Sequence, residues 1–332
     1  MTLPLGLRAV YIIATLAFLT GCGAYAPSTR APVGIFANEA QVDPQTGSWM
    51  LPEAKSEDLI YVTNVETVQI FAYPSGKPVG QLNGVNDASG ACSDSKGDVF
   101  ITDYKPVAIL EYAHGGTKRI ATYHLKVGGG IGCAVSPTTG DLAATGASSS
   151  VDIFKPGSHK PLLINDPKMF FNYFCTYDDA GNLYVDGAQS VKGASLVSEL
   201  PAGSTTFKAL QLNAPVDTTT NLEWDGNYLV ALSYGPPPIK HVHPQIFEFS
   251  ISGTTGTKVG AVPLSRPASD VVEYTLANQT LFLSNWQRKK GQYVRTLLLV
   301  PYPLGGKPTV QITDGLTTPR GVTLSVAPSH GN

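Results

Sequence analysis

Short runs of apolar residues, each ending on a polar residue or a turn, recur along most of the chain. In one stretch a Gly-Asp turn at residues 97–98 leads into a run at 99–103, and further runs follow at 107–112 and 119–123. Runs of about 4–8 residues that are rich in β-branched and aromatic side chains and bounded by turn residues are typical of strands. The pattern therefore predicts a small antiparallel sheet.

Two sets of markers indicate that this sheet is repeated. The polar residues that open each second strand lie 40, 43, 41, 45 and 53 residues apart: Asp58, Asp98, Asp141, Asn182, Asn227 and Thr280. The glycines of the turn between the outer strands keep a similar spacing: Gly76, Gly116, Gly157, Gly203, Gly253 and Gly306. A period of about 40–50 residues is that of a four-stranded propeller blade. The sequence thus predicts an all-β fold, a six-bladed β-propeller.

The ends of the repeat region predict how the ring closes. The first strand of each copy is short and rich in small residues, as crowding around a central axis would favour. Residues 321–326 form a first strand with no copy after it, whereas residues 58–64 form a second strand with no first strand before it. Pairing of these two segments would close the ring and remove an open sheet edge. We place the propeller at residues 51–328 and a short tail at 329–332.

The amino terminus has the pattern of a secretory signal. Arg8 precedes an apolar stretch at residues 9–20, which is shorter than the roughly 20 residues that a membrane-spanning helix needs. The Leu-Thr-Gly-Cys run at 19–22 resembles the bacterial lipobox. The resemblance implies a signal peptide at 1–21, a lipid on Cys22, and a tether at 22–50 that holds the protein to the cell envelope, on its periplasmic or cell-surface side. An ordinary signal that contains a Cys is the alternative.

Several second strands share a motif. The runs at residues 61–64, 99–103 and 183–186 resemble the second-strand motif of NHL-repeat and YVTN-type β-propellers, and the run at 319–324 resembles the strand before it. This resemblance covers residues 58–326. That family includes binding scaffolds and some enzymes, so the fold alone assigns no reaction.

Composition and charge narrow the function class. The net charge is −2 and only 14% of the residues are charged, against roughly 25% in an average domain, so nucleic acid is not expected as a partner. The sequence contains no Gly-x-Ser-x-Gly elbow, His-Glu-x-x-His motif or phosphate-binding Gly loop. We expect a monomeric binding or scaffold module without a cofactor.

One rim of the ring carries the candidate binding residues. Long rim loops are expected at 186–195, 234–244 and 286–294. The cationic and aromatic residues in and near these loops could hold an envelope glycan, another anionic ligand or a protein: Trp286, Arg288, Lys289, His241, His243, Phe171 and Tyr173. The alternative is that the charges form a solvated loop tip and the aromatic rings cap the core.

Two metal sites are weaker alternatives. The His241-x-His243 pair could bind a metal, but a third ligand is not evident. Gluconolactonase-type propellers, which are similar in blade count, hold a divalent cation on the axis. The resemblance would imply Ca²⁺ and a lactonase-type hydrolase, with oxygen ligands from residues that end second strands: Asn64, Asp103, Asp186 and Asn285. Hydrogen bonding to nearby turns is the structural alternative for these side chains.

Three further cysteines lie in predicted first strands: Cys92, Cys133 and Cys175. Cys133 and Cys175 hold equivalent positions in neighbouring copies, so a disulfide between them is one interpretation. Buried thiols without a disulfide are the interpretation that we prefer.

Overall fold

Six β-sheets follow one another along the chain in the computed structural model, which describes residues 40–191, 194–216, 220–234 and 244–328. The strands of the first three blades are given in chain order. Blade 1 contains β1 (Gln41–Val42), β2 (Trp49–Met50), β3 (Leu59–Thr63), β4 (Val68–Ala72) and β5 (Pro78–Leu82). Blade 2 contains β6 (Ala88–Ser93), β7 (Val99–Asp103), β8 (Ala108–Tyr112) and β9 (Arg119–His124). Blade 3 contains β10 (Gly130–Val135), β11 (Leu142–Gly146), β12 (Ser150–Phe154) and β13 (Leu162–Asn165).

The remaining blades follow the same plan. Blade 4 contains β14 (Phe171–Tyr177), β15 (Leu183–Ala188), β16 (Ser195–Leu200) and β17 (Lys208–Ala209). Blade 5 contains β18 (Gln211–Leu212), β19 (Leu222–Trp224), β20 (Leu229–Ser233), β21 (Gln245–Ser252) and β22 (Thr255–Pro263), with β18 parallel to β22. Blade 6 contains β23 (Val271–Ala277), β24 (Thr280–Lys289), β25 (Gln292–Pro301) and β26 (Val310–Ile312). The last strand is β27 (Val322–Ser325). One 3-10 helix, Pro52–Lys55, is the only helix in the described ranges, and none there could cross a membrane.

The ring closes as predicted. Strand β27 pairs antiparallel with β3, so that Val322 lies opposite Val62 and Ser325 opposite Leu59. The carboxyl end therefore supplies the inner strand of blade 1. The sheet of blade 1 also begins earlier than expected, because β1 and β2 add to the outer edge of β5. The amino-terminal part of the propeller thus reaches Gln41, within the stretch that the sequence assigns to the tether.

The apolar core lies between the blades. Each of the six gaps between neighbouring blades holds one cluster of buried residues. Phe100 and Phe154 belong to the cluster between blades 2 and 3, and Phe71 and Phe282 to the cluster across the closure, between blades 1 and 6. Burial of a Phe side chain stabilises a fold by about 1.5–3 kcal/mol, so these contacts hold the ring together around its circumference.

We call the end of the ring where second strands end and chain links join the blades the link face, and the opposite end the turn face. Near the link face the inner strands touch backbone to backbone. A Cβ on Gly90 would lie 2.4 Å from the carbonyl oxygen of Ile131, and one on Gly321 would lie 2.4 Å from that of Ser89. This close approach explains the small residues in the predicted first strands. It also leaves little space along the central axis at this end of the ring.

Three buried threonines join neighbouring inner strands at the same level. The hydroxyl of Thr102 lies 3.2 Å from the carbonyl oxygen of Gly90 in its own blade and 3.1 Å from that of Ile131 in the next. Thr63 and Thr145 make the same bridge from blades 1 and 3. A second-strand threonine therefore holds two blades in register at three consecutive places in the ring.

Candidate functional site

The predicted loop at 286–294 is in fact an extension of a hairpin. Strands β24 and β25 each run for ten residues, and Trp286 pairs with Arg295 and Arg288 with Tyr293. The turn is Lys290–Gly291, with both residues at positive φ. Four residue pairs beyond Asn285 correspond to about 13 Å of strand, so the hairpin projects from the link face. The expectation of a loop was wrong because strand pairing continues through the charged residues.

Trp286 forms the base of this projection. Its indole Nε1 donates a hydrogen bond of 2.8 Å to the carbonyl oxygen of Pro319 in the link to blade 1. The guanidinium of Arg295 lies 5.3 Å from the indole ring centroid, within the range of a cation–π contact, and the ring of Tyr293 meets the indole edge-on. The aromatic residue is therefore fixed in place while the tip beyond it is exposed.

The tip of the hairpin is strongly cationic. Arg288, Lys289 and Lys290 are all exposed. The three salt bridges within the described ranges join other residues, at Asp87 and Asp141. The sequence has no Asp or Glu between Tyr274 and Ile312, so no carboxylate of this blade's three outer strands neutralises these charges. The positive field of the tip is thus open to an anionic ligand.

The other predicted rim residues are not brought to the hairpin. Phe171 lies on β14 of blade 4, also toward the link face, and it packs edge-on against Phe170 at 4.4 Å. Tyr173 lies on the same strand and is half-buried. Blade 5 separates both residues from the hairpin. His241 and His243 lie outside the described residues, as do Cys22 and the predicted signal peptide.

Three of the four candidate calcium ligands occupy equivalent positions and bind backbone amides. The Asn64 Oδ1 atom accepts hydrogen bonds from the amides of Thr317 and Thr318, in the link before the inner strand of its blade. Asp103 accepts from the amides of Asn86 and Asp87 in the same way. Asn285 accepts from Ser269 and Asp270 in blade 6. Ligation of a cation would require these bonds to break.

Asp186 is not equivalent to the other three. The register places it at the repeat position of Thr102 and Thr145, one residue earlier in the second strand than that of Asp103, and it accepts a hydrogen bond of 2.8 Å from the amide of Phe174. A shift of one residue turns a strand side chain to the opposite face. The predicted ring of four oxygen ligands is therefore not formed by these side chains.

A polar pocket that the sequence did not reveal lies on the axis. It encloses about 200 Å³ between the inner strands of blades 2–6 and β27, toward the turn face. Asn221 and Glu223 of blade 5 and Thr275 of blade 6 line it, together with Thr176 and Thr323. The one signal in the sequence is a Glu within the three-residue inner strand Leu222–Trp224, where an apolar residue would be usual.

The carboxyl group of Glu223 is held by its neighbours. The Thr275 side chain and the Leu276 amide donate hydrogen bonds to it, and Asn221 Nδ2 lies 3.4 Å from its Oε1 atom. Burial outweighs these bonds and raises the pKa of Glu223 to about 8. The group is therefore largely protonated at neutral pH.

Glu273 lies on the link side of the pocket and is fully buried. It accepts hydrogen bonds from the amides of Val322 and Ala91, on blades 1 and 2, so its side chain crosses the axis. Burial and, second, the charge of Glu223 raise the pKa of Glu273. The two carboxyl groups disfavour each other's ionised form.

The wall of the pocket contains a disulfide that corrects the prediction of buried thiols and of a bridge between Cys133 and Cys175. Cys92 and Cys133 are bonded, with their Cα atoms 5.7 Å apart. The described part of the chain has one cysteine outside a disulfide, Cys175, and burial raises the pKa of its thiol. The disulfide joins the inner strands of blades 2 and 3.

The chain is similar in fold to solved structures of other proteins. No family model and no curated protein matches the sequence. A chain in the crystal structure of a nidogen/laminin complex is similar, with a TM-score of 0.60 and 12% identity over 81% of this chain and 99% of that one. A chain of hydrazine synthase from Kuenenia stuttgartiensis has a TM-score of 0.50 and 12% identity, over 66% of this chain and 65% of that one.

The fold is a six-bladed β-propeller. At 12% identity these similarities show the fold alone. The cationic hairpin on the link face and the polar pocket on the axis are both candidate places for a ligand. A larger groove, of about 1030 Å³, lies between blades 4 and 5.

Proposed function

We propose that this protein is a lipid-anchored binding module of the bacterial cell envelope, and that the hairpin of blade 6 contacts an anionic ligand, an envelope glycan above all. The observation that carries the proposal is a projecting tip with three exposed cations and no acidic partner on the strands that form it. The lipobox-like run at 19–22 supports the anchor. Mass spectrometry of the mature protein should find an acylated Cys22 as the first residue.

The chemistry of the hairpin suits a polyanion. Arg and Lys side chains on an exposed tip lose little solvation when an acidic sugar approaches, and the attraction is screened by salt. Tyr293, which is half exposed, offers a ring face on which a sugar could stack. The same fold occurs in a protein complex of nidogen and laminin, so a protein ligand with an acidic surface is compatible with this site.

The test replaces the tip charges. We expect the triple variant Arg288→Ala, Lys289→Ala, Lys290→Ala to bind a uronic-acid polysaccharide about 10- to 100-fold more weakly, because each exposed cation contributes up to about 1 kcal/mol. Binding should be measured by surface plasmon resonance at several salt concentrations, with the carboxyl-reduced polysaccharide as the neutral probe.

A matched control removes three exposed cations from the turn face: Lys77→Ala, Lys96→Ala and Lys307→Ala. This variant has the same change in net charge, so it should retain binding if the hairpin is the contact. Equal losses of affinity in the two variants would show that the effect comes from net charge alone. Unchanged binding by the hairpin variant would refute the proposed site.

A further inference from the structure

The axial pocket is a second candidate site, at the opposite end of the molecule from the hairpin tip and independent of it. Its volume of about 200 Å³ is below the roughly 300–1,000 Å³ of sites for drug-sized ligands, so its occupant must be small. The pocket reaches the turn face through half-buried residues, Ser93, Val135 and Ala277. A small molecule could enter there.

The lining divides into an acidic polar part and an apolar part. Glu223 supplies a carboxyl group, Thr275 bonds to it, and Thr176 and Thr323 add two further hydroxyl-bearing residues to the lining. Ala91, Ala134, Leu324 and the disulfide supply apolar wall. A carboxylate with neighbouring hydroxyl oxygens is an acceptor-rich surface, which matches a group that has several donors and no acceptor.

We infer that the axial pocket binds a small primary ammonium compound, with its ammonium group on the Glu223 carboxylate and its short apolar part against the alanine and disulfide wall. A primary ammonium has three donors, so it can bond to the carboxylate and to hydroxyl oxygens at once. Calcium takes six to eight oxygen ligands, several of them carboxylates. Among the described residues no group of three or more His, Cys, Asp or Glu side chains is placed to hold a metal.

Binding of the cation must ionise Glu223. Since the carboxyl group is largely protonated in the empty pocket, one proton leaves Glu223 for the solvent as the ammonium binds. Glu273 is the acidic neighbour; burial and the charge on Glu223 favour its protonated form, whereas Arg320 favours its ionised form. Burial raises the pKa values of the other neighbours, Cys175, Tyr177 and Tyr274, so they stay neutral over this range.

Calorimetry with propylammonium chloride on the full propeller tests the inference, with 1-propanol as the neutral probe of similar shape. We expect wild-type protein to bind propylammonium and not propanol. As the pH is raised toward the Glu223 pKa of about 8, the affinity should increase by up to about tenfold per pH unit. Above this pKa the affinity should level off. The heat should also depend on the ionisation enthalpy of the buffer, because a proton is released.

Glu223→Gln should weaken propylammonium binding about tenfold or more and remove its pH dependence, because the neutral amide cannot pair with a cation. Glu66→Gln, which changes an exposed carboxylate of blade 1, should leave binding unchanged. Ala277→Leu, which narrows the pocket mouth and keeps Glu223, should also weaken binding, and it serves as the second variant if Glu223→Gln fails to fold. Wild-type protein that does not prefer propylammonium to propanol, or a folded Glu223→Gln variant that binds it equally well, would overturn the inference.

Discussion

Single polar side chains on the second strands fix the spacing of the blades. Thr102 is fully buried, and its hydroxyl reaches carbonyl oxygens of two neighbouring inner strands. Asp103, the next residue, faces the other way and binds the link amides of Asn86 and Asp87. Adjacent residues on a strand point to opposite faces, so one Thr-Asp pair ties a blade both to its neighbour and to its own link.

Replacement of Thr102 by Val tests the bridging hydroxyl. Val has nearly the same shape and lacks the hydroxyl, so we expect Thr102→Val to lower the free energy of unfolding by about 1 kcal/mol or more. Thr102→Ser, which keeps the hydroxyl, should lose less. Urea unfolding of the two variants gives the comparison, and a Val variant at least as stable as the Ser variant would show that the bridge contributes nothing.

At the scale of strands, periodicity predicted most of the architecture. The six sheets, the inner strand Leu222–Trp224 and the closure by β27 follow from turn residues and short apolar runs. The extension of β24 through Trp286 and Arg288 could not be predicted, because charged residues on a solvated hairpin look like a loop in the sequence. The axial pocket was missed because it depends on which inner-strand side chains meet across the ring.

The disulfide was missed for a geometric reason. Within its own blade, Cys92 pairs with Phe100, the second residue of β7, whereas Cys133 pairs with Ala144, the third residue of β11. The sequence suggests a bridge only as an alternative to free thiols, and only between the equivalent positions Cys133 and Cys175. In the structure Gly90 of one inner strand lies against Ile131 and Gly132 of the next, so a side chain meets the position before its equivalent. The bond therefore joins positions that differ by one residue in the repeat.

The same offset predicts a second disulfide. Ala134 of blade 3 occupies the repeat position of Cys92, Cys175 of blade 4 occupies that of Cys133, and the two lie in one buried cluster. We therefore expect Ala134→Cys to form a bridge to Cys175 under oxidising conditions. Thiol titration of the denatured, unreduced protein should then find no reactive Cys175, whereas Ala134→Ser should leave it reactive. An Ala134→Cys variant that keeps both thiols free would contradict the assigned offset.

At the scale of the whole molecule, the ring depends on β27, the last strand of the propeller in chain order. Removal of residues 321–332 would delete β27 and leave β3 as an open edge, with Ile60 and Val62 losing their cover. We expect this truncated protein to melt at a markedly lower temperature or to aggregate. Size-exclusion chromatography and thermal melting should show the difference.

Removal of residues 329–332 alone is the matched control, since it leaves β27 intact and should not change the melting temperature. Unchanged melting of the longer truncation would mean that the pairing of β27 with β3 does not hold the ring closed.

The pairing of β27 with β3 also sets the order in which the protein can be completed. Because the partner of β3 follows all the other strands of the propeller in the chain, a nascent polypeptide cannot close its ring until β27 has been synthesised. Until then, the edge of β3 has no partner strand and is exposed to other chains. Any factor that transports this chain before β27 has paired must tolerate or shield the open ring.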